Sequence, residues 1–366
     1  MNHTAIVSCL SLALAGLLCA TGDAGANVIM VDWSGGGDHE TIQEGLDAAA
    51  EGDTVRVAPG TYSGTGNVAL SFGSKNLVLE AENGLPSVTI DCGGADRAVY
   101  MHNTSQDTST VIRGFVIQNA YTDNYNGGAM RLDGVSIIVE DCIIKDCSAS
   151  HNGGGIYISY TGMGHGTRVR NCVFQGNSAT YRAGALMVDH ASAAIGKCLF
   201  LDNWTTTGGE DFYGGGAMHL NWVDTPNMRC DVSRCTFVGN SSGGRGAAIM
   251  GWNSVVWTFL TQCVVAFHED DALAVDSYPL IDGLTFFVMY GNMGGDIDAG
   301  YSTILVGDPL FCDYYSDDFT LCEDSPALPA NNIWSLLMGY AGEGCGAPCS
   351  SPVERTSWGR IKAMYR

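Results

Sequence analysis

Lysine and arginine are scarce in this chain: 17 stand against 39 aspartates and glutamates in 366 residues, a formal net charge of −22. That balance excludes nucleic-acid partners, which need basic surface to neutralise phosphates. No apolar run beyond the first 26 residues reaches the roughly 20 positions a membrane helix requires, so the chain is not membrane-spanning on this reading. No C-x-x-C pair occurs, and His39, His102 and His151 stand alone without ligand spacing, which leaves zinc unsupported. Proline is rare, with 9 residues, whereas glycine reaches 49 and apolar residues 46%. A disordered chain would not keep so many apolar residues, so this is a folded, turn-rich β protein.

The leading stretch reads as a targeting segment. Ala5 to Ala20 is apolar apart from small residues, and Ala24-Gly25-Ala26 has the form of an A-x-A cleavage site, so residues 1–26 are expected to be a signal peptide. The expected localisation is secreted or outer cell surface. Of 14 cysteines, Cys9 and Cys19 leave with that leader.

What dominates the rest is a repeat. Asn171–Met187 (N-C-V-F-Q-G-N-S-A-T-Y-R-A-G-A-L-M) reads as two short apolar strands around a polar turn, and copies recur from Gly114, Asp141, Lys197 and Arg234. Aligned copies put Gly114, Cys142, Cys172, Cys198, Cys235 and Cys263 in one column, at intervals of 28, 30, 26, 37 and 28 residues. Five positions later stand Asn119, Cys147, Asn177, Asn203, Asn240 and His268, and a third column holds Met130, Ile156, Leu186, Met218 and Ile249. A period of this length means a stacked solenoid whose units cannot bury their apolar face alone. Short strands without helical segments make it a parallel β-helix, each coil about 4.8 Å from the next.

In such a stack a column runs along the axis. The cysteine column is expected to be a row of buried thiols, since parallel Cβ vectors about one rung apart do not suit a disulfide. The Asn119, Asn177, Asn203 and Asn240 column is expected to be an amide ladder. Upstream, Val28–Trp33 reads as a strand, Thr41–Ala50 as an amphipathic helix, Thr54–Val57 as a strand and Pro59–Tyr62 as a turn. Beyond Asp270 the pattern decays. Asp308–Cys312 and Asp318–Leu321 read as a strand pair, Cys312, Cys322, Cys345 and Cys349 as disulfide candidates of open connectivity, and residues 351–366 as a basic tail.

These features carry a resemblance. Thr41–Tyr62 (T-I-Q…A-A-A-E-G-D-T-V-R-V-A-P-G-T-Y) resembles the cap and first coil of bacterial right-handed β-helix proteins of the pectin-lyase-like superfamily. The F-x-x-N pairs Phe174/Asn177, Phe200/Asn203 and Phe237/Asn240, followed by G-G-A-M or G-G-G-I, resemble the repeat of polymorphic outer-membrane proteins. The end, D-P-L-F-C…S-P-A…G-C-G, resembles the C-terminal closure of secreted β-helix proteins. The resemblance implies an all-β fold: a single-stranded right-handed parallel β-helix over 27–350 with a short N-terminal capping helix. Its cap and first coil would fill 27–62, its regular coils 111–268 and its closure 300–350. It specifies no activity.

Residues outside the columns are the ones free to carry chemistry. Gly164-His165-Gly166 and Arg360-Ile361-Lys362 match short polygalacturonase motifs, but nearly 200 residues separate them and no N-T-D precedes the histidine, so the match is coincidental. If the third column points inward, Arg131, Tyr157, Met187, His219 and Met250 point out, as do Asp133, Ser159, Asp189, Asn221 and Trp252. Asp133, Asp189 and Arg131 are the catalytic candidates for a polysaccharide lyase, which would add Ca²⁺, or for a glycoside hydrolase. The two carboxylates lie about 9.6 Å apart at the backbone, at the limit of the ~6.5–9.5 Å of inverting glycosidases. A binding surface for a polysaccharide or cell-surface glycan asks less: Tyr160, His190, His219, Trp222 and Trp252, with Glu210, Asp211 and Tyr213 from the insertion at Thr205–Tyr213. Binding or adhesion is the favoured expectation, a lyase or hydrolase the alternative, and a passive structural surface element the third.

Overall fold

The computed structural model describes residues 26–345 except 103–105, 124, 161–165, 211, 223–227, 253–257, 269–270, 276–280, 286, 291, 293–303, 314–315, 317 and 333–334. The leader, Cys349, Arg360-Ile361-Lys362 and the basic tail therefore lie outside the described residues, as do His165 and Asp211.

Three parallel sheets run the length of the molecule, with ten, ten and seven strands, and a fourth sheet of five two-residue strands marks one corner. The first sheet begins at Val28–Val31 and ends at Ile281–Thr285; the second runs from Gly60–Ser63 to Ile304–Val306; the third from Val99–His102 to Leu273–Val275. This is a parallel β-solenoid, and its stacking extends both upstream and downstream of the stretch where periodicity is visible. Pro59–Tyr62, expected as a turn, supplies strand Gly60–Ser63, paired in parallel with Val88–Asp91.

Apolar side chains from all three sheets fill one continuous core, in which Phe174, Phe200 and Phe237 stack with centroids 4.9 and 4.7 Å apart. The helix, Ile42–Ala48, starts with a capping box between Thr41 and Glu44 and buries Ile42 and Leu46 in that core. Gly45 lets it sit directly on the first strand, since a Cβ there would lie 2.6 Å from Val31 Cγ2.

Cys142, Cys172, Cys198, Cys235 and Cys263 are free and fully buried, each at the corner between the first and second sheets. Each Sγ donates to the carbonyl two residues back, from 3.2 Å at Cys142–Glu140 to 3.4 Å at Cys235–Ser233. The residue before each thiol (Asp141, Asn171, Lys197, Arg234, Gln262) turns the corner with φ between 53° and 56°.

The amide ladder runs through Asn177, Asn203 and Asn240, all inaccessible to solvent, and continues through His268 to Asn292. Asn203 Oδ1 accepts from Asn177 N and Nδ2 at 3.0 Å, and Asn240 Oδ1 accepts likewise from Asn203. Asn119 does not belong to it. The register pairs Val116 with Ile143 and Ile117 with Ile144, so Ala120 shares the row of Cys147, and Phe115 that of Cys142. Gly114 and Asn119 instead occupy the positive-φ corner positions, at 84° and 56°, and Asn119 is an exposed partner of Asp91. The first two sequence columns were one residue out of register on that coil, whereas Met130 of the third pairs with Ile156 as expected.

The segment from Phe311 to Tyr340 folds back along the flank. Strands Phe311–Asp313 and Asp318–Cys322 form the expected pair, in antiparallel sense, and Phe311, Phe319, Leu321, Leu328 and Met338 pack on Leu199, Leu201, Val238, Val264 and Ala266 of the second sheet's outward face. Cys312 and Cys345 form a disulfide, with Cys322 Sγ 3.2 Å from Cys345 Sγ.

Candidate functional site

The third sheet builds the site. In its four-residue strands the first and third positions (Met130 and Leu132, Ile156 and Ile158, Leu186 and Val188, Met218 and Leu220) enter the core, and the second and fourth face outward. Outward does not mean solvated here. Tyr157 is 5% exposed and Met187, His219 and Met250 are fully buried. The turn leading into each strand folds back over the second position: a Cβ on Gly215 would lie 2.9 Å from that of His219, and Ala183 packs on Tyr157 and Met187.

His219, expected as an exposed ligand-binding residue, is thus a buried one. Its Nδ1 faces Gly214 O at 3.2 Å and its Nε2 is buried without a partner. Burial, with Arg182 nearby, pushes its pKa down to about 3, so the imidazole is neutral and Nδ1–H is the donor.

The fourth position forms a polar row, His102, Asp133, Ser159, Asp189, Asn221 and Trp252. Asp133 is 4% exposed and spends both oxygens: Arg131 Nε donates at 2.6 Å, Ser159 Oγ donates to the other oxygen, and His102 Nδ1 lies at 3.3 Å. Asp189 accepts from Tyr157 OH at 2.7 Å, Asn221 Nδ2 at 2.7 Å and His190 Nδ1 at 2.8 Å. Burial and Asp189 raise the Tyr157 pKa, which keeps that hydroxyl a donor.

The catalytic candidates Asp133 and Asp189 stand two rungs apart with Ser159 between them, and both carboxylates are engaged in the scaffold. They do not fit Ca²⁺, which takes six to eight oxygens. Among the described residues the one cluster with metal-ligand spacing is Cys312, Cys322 and Cys345, sulfurs that suit no calcium ion.

One position further on, at the trailing margin of the sheet, the chain turns with positive φ at Tyr160, His190 and Trp222. Their rings stack: Tyr160 and His190 centroids are 5.4 Å apart, His190 and Trp222 5.3 Å, with interplanar angles of 22° and 19°. Tyr160 is 64% exposed and Trp222 39%. The inner faces stack against one another, and the rings carry a phenol O–H, an imidazole nitrogen and an indole N–H on their edges. Because a carboxylate only accepts, His190 must donate through Nδ1, which turns Nε2 away from Asp189.

Trp252 falls outside this stack, with its ring 5.9 Å from Phe212. Glu210 is exposed, and Tyr213 joins a second row that sequence reasoning missed, His151–Tyr181–Tyr213, at centroid distances of 5.6 and 5.0 Å on the leading margin. Its signal was an aromatic two residues before the glycine-rich strand entrance, obscured by the insertion before Tyr213. Two aromatic rows therefore border the outward face of the third sheet.

No family model and no curated protein matches this chain. Among solved structures it is similar to a pectin methylesterase from carrot (13% identity, TM-score 0.35, covering 79% of this chain and 91% of that one). It is likewise similar to a pectin methylesterase from Aspergillus niger (15%, TM-score 0.35, 78% and 91%) and to Escherichia coli YbhC (11%, TM-score 0.34, 79% and 74%). Similarity at this level transfers no activity.

Proposed function

We propose that this is an exported β-solenoid, with residues 1–26 its leader, that binds an extended polysaccharide along the outward face of the third sheet. The observation that carries the reading is the exposed Tyr160–His190–Trp222 row. It presents hydrogen-bonding ring edges at a repeat near one rung, locked in orientation by stacking and by Asp189. A polymer lying parallel to the axis would meet the same kind of contact on successive coils, and little side-chain entropy remains to be lost on binding. Glycan-affinity electrophoresis or calorimetry on a panel of neutral and acidic polysaccharides tests it. Trp222→Ala and Tyr160→Ala are expected to weaken binding by roughly tenfold each, on the scale of an aromatic contact. Unchanged affinity in both variants, or no ligand in the panel, overturns the proposal.

A second reading has one observation in its favour. A half-buried imidazole oriented by a carboxylate is the arrangement of a general base, so His190 with Asp189 is the place where a lyase or hydrolase activity would reside. Release of unsaturated or reducing ends, abolished in His190→Ala, would establish turnover.

A further inference from the structure

The leading margin of the same face contains a cation without a hydrogen-bonded counter-ion. Arg97 is only 8% exposed, yet among the described residues its guanidinium makes no ion pair. Its Nε donates to Gly127 O at 3.3 Å and Nη2 to Asn126 O at 3.5 Å, both long. The neighbouring Asp96 uses Oδ1 on the backbone N–H of Arg97 itself, at 2.7 Å. Two rings bracket the guanidinium carbon, Tyr100 at 5.1 Å and Tyr125 at 5.9 Å, and they are 36% and 58% exposed. Arg131 lies over the same Tyr100 ring at 5.7 Å; it gives Nε to Asp133, whose oxygens are also engaged by Ser159 and faced by His102. Burial lowers the Arg97 pKa, and the Arg131 charge adds to this, against the opposing pull of the Asp96 and Asp133 charges, neither of which bonds the guanidinium.

A desolvated guanidinium is costly without an anion, and cation–π contacts offset only part of that cost. We infer that Arg97 and Arg131, framed by Tyr100 and Tyr125, form an oxyanion site that receives a sulfate or carboxylate group of a ligand. Guanidinium groups suit both anions because their planar N–H edges can meet two oxygens at once. The inference rests on the proposed glycan-binding face insofar as the anion is a substituent of that polymer, but the site itself does not depend on it. On a chain of net charge −22, general attraction of polyanions is disfavoured, so anion binding reports a local site.

The test uses the full chain and named probes: inorganic sulfate, acetate, dextran sulfate, polygalacturonate and neutral dextran, titrated at constant ionic strength and followed by calorimetry and thermal melting. The expected result is that sulfate or acetate raises the melting temperature and that dextran sulfate or polygalacturonate binds more tightly than dextran. Which anion is favoured separates a sulfated from a uronate ligand. Arg97→Gln should weaken anion binding roughly tenfold or more, the scale of a charge-assisted hydrogen bond. Since Arg97→Gln also alters packing, the exposed Tyr125→Ala variant serves as a second probe, expected to lose several-fold affinity with only a small fall in its anion-free melting temperature. Anion affinity equal to wild type in both variants, or no anion binding by the wild type, overturns the inference. Trp222→Ala separates this site from the aromatic row: it should weaken glycan binding but keep inorganic sulfate. Sulfate binding without any glycan binding would keep the oxyanion site and discard the glycan-binding proposal.

Discussion

His219 shows what a single position costs when a polar side chain faces outward into a covered face. It is neutral in the folded chain because burial depresses its pKa to about 3, whereas an unfolded histidine titrates near 6.5. The unfolded chain therefore binds more protons between those values. Stability held above pH 6.5 falls as the pH drops through that window, by about 1.4 kcal/mol per unit once the unfolded imidazole is charged. Denaturation midpoints between pH 6.5 and 4.5, where carboxylates contribute least, should decline more steeply in the wild type than in His219→Leu. Parallel slopes would show that this imidazole is not the source.

At the scale of elements, rows bind the coils together, and a row's value depends on register. Asn203 makes four ladder contacts, to Asn177, Asn240 and Phe174, inside a fully buried row. Asn203→Ala strands donors and acceptors on both neighbouring coils and is expected to cost about 3 kcal/mol in denaturant unfolding. Asn119→Ala, at an exposed positive-φ corner outside the ladder, is expected to cost only about 1 kcal/mol, the strain of an alanine in the left-handed region. Equal losses in the two variants would contradict the one-residue offset of that coil.

A second row works by charge. Arg56, Glu80, Arg113, Glu140 and Arg170 occupy consecutive rungs at the end of the first sheet's strands. Arg56 reaches Glu80 at 2.7 Å, Arg113 bonds Glu80 and lies 3.8 Å from Glu140, and Arg170 reaches Glu140 at 2.5 Å. Burial acts to raise the Glu80 pKa, but bonds from Arg113 and Arg56 outweigh it and hold the group ionised, so alternation of sign replaces apolar stacking on that outer edge.

For the whole molecule, the arrangement of the 308–345 segment matters most. It covers apolar residues on the outward face of the second sheet and approaches the coils closely at Gly339, whose N donates to Gln262 O at 2.8 Å. A Cβ at Gly339 would lie 2.6 Å from Thr236 Oγ1 and 2.9 Å from Val264 Cγ2, at φ +86°. Gly339→Val is therefore expected to weaken docking by roughly 1–3 kcal/mol and expose the Leu199–Val264 stripe. The expected readout is raised binding of a hydrophobic dye and concentration-dependent self-association, with the β-sheet circular dichroism spectrum retained. An unaltered dye signal would mean that the segment tolerates the branch and stays docked.

The sequence by itself determined that coils stack in parallel, because a row must repeat its residue type on every rung to fill the same space. Cys172, Asn177 and Leu186 could be read as scaffold on that ground alone. Irregular coils hid the rest: the strands before Val111 and after Asp270 repeat shape without repeating composition, and Gly114 slipped the alignment by one. Strand parity likewise told inward from outward at Asp133, Asp189 and His219, but parity carries no information on what covers an outward side chain. Only the tertiary structure decided that, because the turns before the third sheet fold over its second position and leave its trailing margin uncovered. His219 was removed from the surface by this, Asp133 became a buried support and Asp189 a half-buried one. Tyr160, His190 and Trp222, from three separate coils, were brought into one exposed row.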